Sequence, residues 1–94
     1  MKNHTKIYLK ACGYTDTDFI PSEISGRKSQ DLHHIVNRED RIENLMAVTR
    51  HEHIEFGEIK SKMSYLLMKH KEFLDYNGVT YSQEWFNKYL QKYM

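Results

Sequence analysis

The chain has 94 residues, enough for one small domain, and a chain of this size buries only about 60–65% of its unfolded surface, so its core is limited and it leans readily on a metal or a partner. Its formal net charge is +1, and 39% apolar residues with seven Tyr, four Phe and one Trp argue against both a disordered chain and a strongly basic nucleic-acid-coating protein. No apolar run approaches the roughly 18 residues of a membrane span. The opening stretch, MKNHTKIYLKACGYTD, lacks an export-type apolar region. Cys12 is the single cysteine, which excludes an intramolecular disulfide and a cysteine-built zinc site and fits a cytoplasmic setting.

Charge is uneven along the chain. Residues 1–58 carry eight Lys/Arg against ten Asp/Glu, whereas residues 59–94 carry six Lys against three acids. The second half is the better candidate for touching phosphates, although an excess of three is usually a solvated face. Six histidines in so short a chain are the compositional anomaly.

In chain order, Ile7, Leu9 and Ala11 alternate with polar neighbours, which suits a strand; Ile7 and Ala11 also sit at helical spacing, and so short a run leaves both open. Gly13 ends the segment. Asp16-Thr17-Asp18 reads as a turn or a helix start, with Phe19 and Ile20 as a small apolar anchor before Pro21. Residues 21–30 are polar and loop-like. Residues 31–36, with Leu32, Ile35 and Val36 around a histidine pair, read as a strand, residues 37–43 as a charged loop, and Leu45–Val48 as a partner strand. Thr49 with Glu52 three residues on forms a capping box. A long helix follows, with Ile59, Met63, Leu66, Leu67, His70 and Leu74 on one face; unbroken over 50–75 it would span roughly 39 Å. Gly57 inside it costs about 1 kcal/mol relative to Ala and marks a kink or a close approach. Asn77-Gly78 stops it, and Thr80 or Ser82 caps a last helix whose Trp85, Phe86, Tyr89, Leu90 and Tyr93 pack against the long one, or else serve a dimer contact or base stacking.

The chemistry concentrates in residues 31–57, DLHHIVNREDRIENLMAVTRHEHIEFG. His33 and His34 are adjacent, Asn44 follows His34 by ten residues, and His53 follows Asn44 by nine. Neighbouring strand residues point to opposite faces, so His33 and His34 cannot readily share one metal. One can ligate while the other, with an ordinary pKa of about 6.5, takes a proton from water. A histidine alone on a strand is more often structural; the full spacing favours the functional reading. His51 and His70 read as structural or exposed, and His4 as part of a frayed end.

This stretch resembles the HNH endonuclease family, whose fold is the ββα-metal (His-Me) finger. The family pattern is a His-His pair closing the first strand, an Asn before the second, and a His early in the helix. Here these are His33-His34, Asn44 and His53, with Asn44-Leu45-Met46 matching the step into the second strand. Phe19-Ile20-Pro21 and the run Ile42–Arg50 are similar to short stand-alone HNH proteins of phages and their bacterial hosts, over roughly residues 1–75. Two departures stand out. Many relatives hold a structural zinc on two cysteine pairs, but the matching positions are Ser22, Ser25, Thr49 and Glu52, so no structural zinc is expected and other packing must hold the 21–30 loop to the helix. A further metal-binding histidine of many relatives falls at Gly57; Asp31, Glu52 or a substrate phosphate would have to help.

The resemblance implies an α+β fold: one HNH nuclease domain over residues 1–94, with a two-stranded hairpin, one long helix and a C-terminal helical extension at 79–94. It implies metal-dependent hydrolysis of DNA phosphodiester bonds, with His34 as general base, Asn44 as its orienting group, and His33, His53 and Asp31 around a divalent cation. Mg²⁺, Mn²⁺, Ni²⁺ and Zn²⁺ are not distinguished by these residues. Arg50 is the candidate phosphate contact, set against a plain solvated helix residue. Expected partners are DNA, with a second copy or a phage or host protein beside it, and no membrane. The alternative is a catalytically silent ββα module that binds DNA or a protein within a larger assembly.

Overall fold

In the computed structural model, which describes residues 2–56 and 60–93, the chain begins with helix α1, Asn3–Cys12. This settles the ambiguous first segment as helical. Tyr8 and Leu9 are its buried residues, and Gly13 closes it in the left-handed region at φ 75° with Tyr14 N–H donating to the Leu9 carbonyl at 2.8 Å. Residues 16–18 take the turn rather than the helix start, the Asp18 carboxylate accepting from Thr15 N–H at 2.7 Å. Phe19 departs from the expected anchor: it is 60% exposed, while Ile20 alone packs inward. Residues 21–30 form a tight knuckle. Ser22 N–H donates to the Arg27 carbonyl and Gly26 N–H to the Ser22 carbonyl, and Gly26, at φ 77°, supplies the positive φ the turn needs.

Strands β1, Asp31–His34, and β2, Leu45–Val48, pair antiparallel in the register Asp31↔Val48, Leu32↔Ala47, His33↔Met46 and His34↔Leu45. β1 is shorter than expected, although Ile35 N–H still donates to the Asn44 carbonyl at 2.9 Å. All four β2 residues are buried, because the hairpin is covered on both sides. Met46 and Val48 face a large cluster with Leu66, Leu67 and Leu74, and Leu45 and Ala47 face a smaller one around Tyr8 of α1. Cross-strand partners share a face, so His33 belongs to the first side and His34 to the α1 side.

The expected long helix is interrupted. Helix α2 spans Arg50–Phe56, a 3-10 turn occupies Lys60–Lys62, and helix α3 spans Met63–Tyr76. The 3.6-residue apolar pattern starts at Met63, whereas α2 exposes Ile54 at 78% and buries only Glu52, so the two segments bury different surfaces. Gly57 and Ile59 lie outside the described residues. Met63, Leu66, Leu67, His70 and Leu74 form the buried face of α3 as read from their spacing. Helix α4, Gln83–Tyr93, is capped by Ser82, whose Oγ accepts from Trp85 N–H at 3.2 Å. It packs on α3 through Trp85 and Phe86. Among the described residues the protein is thus an α+β domain of four helices around a two-stranded hairpin, and no helix is long and apolar enough to cross a membrane.

One buried polar chain runs through this core. His70 and Glu23, both with fully buried side chains, meet at 2.6 Å through Nδ1 and Oε1. His70 Nε2–H donates to the Ile42 carbonyl at 2.6 Å. The other Glu23 oxygen accepts from Tyr8 Oη–H at 2.7 Å and Ala47 N–H at 3.3 Å. Burial, then the Glu23 charge, pushes the Tyr8 hydroxyl far above its ordinary range.

Candidate active site on the hairpin

Strand alternation separates the histidine pair as expected. His33 is buried, and its ring lies edge-on to that of His53 with centroids 4.9 Å apart and planes at 60°. α2 delivers His53 because the capping box forms: Thr49 N–H donates to Glu52 Oε1 at 2.9 Å and Glu52 N–H to Thr49 Oγ1 at 3.1 Å. Asp31, two residues before His33 on the same face, reaches His53 Nδ1 with Oδ2 at 3.1 Å and Arg50 Nη2 with Oδ1 at 3.4 Å. Burial pushes the Asp31 carboxyl up, and the hydrogen bonds from His53 and Arg50 outweigh it, holding the group below its usual range. A carboxylate on Nδ1–H leaves Nε2 of His53 as the nitrogen with an available lone pair. Arg50 is 70% exposed and otherwise points to solvent.

His34 lies on the other face, half-buried. Its Nε2 is 2.8 Å from Asp40 Oδ1, and its ring stands edge-on to His4 with centroids 5.1 Å apart. Asp40 is held in turn by Asn3, which donates to Oδ2 at 3.2 Å. Hydrogen bonds from His34 and then Asn3 keep the Asp40 carboxyl below its usual range. A proton on Nε2 facing this carboxylate makes Nδ1 the basic nitrogen of His34.

Asn44 is completely buried. Its Oδ1 accepts from Val36 N–H at 2.9 Å, and its Nδ2 donates to the carbonyls of Asn37 and Glu39, each at 2.9 Å. It therefore fixes the loop between the strands, and that loop carries Asp40. Its grip on His34 is indirect, through Asp40. A cleft of about 690 Å³ opens along β1, lined among others by His33, His34, Asp40, His53 and Tyr93. A second of about 550 Å³, shared by His34 and His53, opens toward His4.

Ser22, Ser25, Thr49 and Glu52 also converge. Ser22 Oγ–H donates to Glu52 Oε1, the oxygen that also accepts from Thr49 N–H, and Ser22 Oγ accepts from Ser25 N–H at 3.2 Å. Burial raises the Glu52 carboxyl, but hydrogen bonds from Ser22, Ser25 and Thr49 prevail and lower it. This knot ties the 21–30 knuckle to the start of α2.

The sequence pattern points to neither Asp40 nor Asn37, and His4, expected in a frayed end, lies instead in α1 with its ring against His34. Asp40 stood among the many charges of NREDRIE, and its only local signal was its position six residues after His34. His4 reaches the hairpin through tertiary packing of α1, which no local pattern announces. The protein-family models, curated protein sequences and solved structures compared with the chain include no match to it.

Proposed function

We propose that the chain is a metal-dependent DNA endonuclease or nickase of the HNH type. The observation that carries this reading is the split of the histidine pair: His33 meets His53 on one face of β1, while His34 stands apart on the other beside a carboxylate. Phosphodiester hydrolysis needs such a division, because a ligand's lone pair is committed and cannot also take a proton.

In this reading His33 and His53 hold the divalent cation. Two imidazoles with ring centroids 4.9 Å apart fit donors to one ion, and Asp31 orients His53 rather than ligating directly, since both its oxygens are engaged. The cation, when bound, supplies Lewis-acid stabilisation of charge on the phosphate and the leaving oxygen. Through Nδ1, His34 takes the proton of the attacking water, and Asp40 stabilises the imidazolium that results. Asn44 keeps Asp40 in place. Arg50, at the rim, meets a neighbouring phosphate. The expected products are 5′-phosphate and 3′-hydroxyl ends, with one strand cut per site. Contacts mainly to phosphates imply weak sequence preference and strong salt dependence.

The test is nicking of supercoiled plasmid by wild type and His34→Ala with Mg²⁺, Mn²⁺, Ni²⁺ or EDTA. Metal-dependent nicking that His34→Ala reduces by about 100-fold or more is the expected result. Folded wild-type protein that fails to nick with any of these metals would overturn it and favour a silent module binding DNA or a protein partner.

A further inference from the structure

On the α1 face of β1, His4, His34 and Asp40 each offer one ligand atom, and the three atoms lie within 4.8 Å of one another. We propose that these residues form a second cation site, specific for borderline-soft divalent ions of the Zn²⁺ class, whose occupation disables His34. The site is distinct from the His33–His53 pair, which lies across the strand.

The donor set and its spacing support this. Two imidazoles and one carboxylate are the set of an open, three-ligand zinc site, with a fourth position for water. Metal–ligand bonds of about 2.0–2.2 Å put tetrahedral ligand atoms about 3.3–3.6 Å apart. The His34 Nε2–Asp40 Oδ1 separation is 2.8 Å, and no separation within the trio exceeds 4.8 Å. Side-chain rotations of about 1.5 Å or less close the site. The ligands are also supported from behind: Asn3 Nδ2–H holds the second Asp40 oxygen, and Asn44 fixes the loop through the Glu39 carbonyl next to it. Hard Mg²⁺ prefers oxygen ligands and its own waters, so it has little affinity for this set.

The consequence for His34 follows from its tautomers. With Nε2 facing Asp40, the ring proton sits between them and Nδ1 is free to act as base. A cation on Nε2 takes the place of that proton. The neutral ring then carries its proton on Nδ1, the nitrogen that catalysis requires. Zn²⁺ at this site would therefore inhibit at the base. The inhibitory effect rests on the proposed role of His34; the binding itself does not.

Zn²⁺ titration of the apo protein, followed by calorimetry and by the imidazole ¹⁵N resonances, is the direct test. His4→Ala and Asp40→Asn are compared with wild type, with folding checked by circular dichroism. Wild type should show the His4 and His34 ring nitrogens shifting together on Zn²⁺ addition and little shift with Mg²⁺. Each variant should weaken that step by about 10-fold or more. Unchanged His4 resonances at saturating Zn²⁺, or identical titrations in wild type and Asp40→Asn, would overturn the site. In the plasmid assay with Mg²⁺, inhibition by Zn²⁺ should need about 10-fold more metal in His4→Ala than in wild type. Zn²⁺ binding at His4 and His34 without any Mg²⁺-dependent nicking would keep the site and remove the nuclease reading. Nicking without that binding would do the reverse.

Discussion

Substituting His70 by alanine tests whether the buried His70–Glu23 pair holds the layers of the domain together. The two side chains are fully buried and 2.6 Å apart, and His70 also satisfies the Ile42 carbonyl at 2.6 Å. Removing one partner leaves a carboxylate without its imidazole in a site closed to water, at a cost of about 3–5 kcal/mol. The lost ring also packs near Phe73 and Phe86, with centroids 6.4 and 6.2 Å away, so any cavity adds to that figure. Against a typical total stability of about 5–15 kcal/mol, this is a large share. For a domain of this size it corresponds to a Tm lower by roughly 12 °C or more. Tyr8→Phe is the internal control. It removes a single hydrogen bond to the other Glu23 oxygen, which retains Ala47 N–H, and should cost about 1.5 kcal/mol. Urea titrations at neutral pH give both values. A His70→Ala protein within about 1 kcal/mol of wild type would refute the reasoning, and so would a Tyr8→Phe protein less stable than His70→Ala.

Glu52 makes an acid-stability test. Its folded-state carboxyl lies below its ordinary value of 4.5, so its contribution is complete above about pH 4.5 and is lost as pH falls through the lower folded value. Wild type should therefore lose more stability than Glu52→Gln between about pH 6 and about pH 3, measured by urea midpoints. Asn44→Ala leaves Val36 N–H and the Asn37 and Glu39 carbonyls without their shared partner; it should cost about 3 kcal/mol and shift the His34 imidazole resonances by releasing Asp40. Burial, followed by the Glu23 charge, pushes the Cys12 thiol up to about 12. Its thiolate fraction near pH 8 is then about one in ten thousand, so alkylation of the native protein should run roughly 1,000-fold slower than in urea.

The hairpin and the division of the histidine pair were legible because period-two alternation is a local property, and four apolar residues at Leu45–Val48 admit few alternatives. The buried stripe of α3 was legible for the same reason. The break between α2 and α3 was less so. Gly57 was the one sequence signal against a continuous helix, and tertiary packing decides that α2 turns Glu52 inward to Ser22 while leaving Ile54 in solvent. Phe19 misled because hydrophobicity alone does not say whether a turn residue finds a cavity. His70 was read as structural or exposed, and its burial depends on Glu23, 47 positions away. His4 and Asp40 were hidden similarly: each acquires its neighbour through packing of α1 and through the Asn44-bound loop, both long-range consequences of the fold.

Two four-residue strands do not hold themselves in register in water, so the separation of His33 from His34 must be maintained from outside the hairpin. Apolar packing supplies most of the driving force, but it is non-directional and tolerates sliding. The directional restraints among the described residues are polar and buried, and they reach the hairpin from different sides. Asn44 locks the connecting loop. Glu43 accepts from Ser82 N–H at 2.7 Å and ties that loop to the start of α4. Glu52 ties α2 to the 21–30 knuckle through Ser22. Glu23 accepts from Ala47 N–H in β2 and joins Tyr8 of α1 to His70 of α3. Each bond costs desolvation and yields little net stability, yet each is lost if the hairpin shifts by one residue. Such a shift would exchange the faces of His33 and His34. The positions most sensitive for the candidate site are therefore these buried polar groups, several of them distant from either histidine, more than the apolar residues in direct contact with β1.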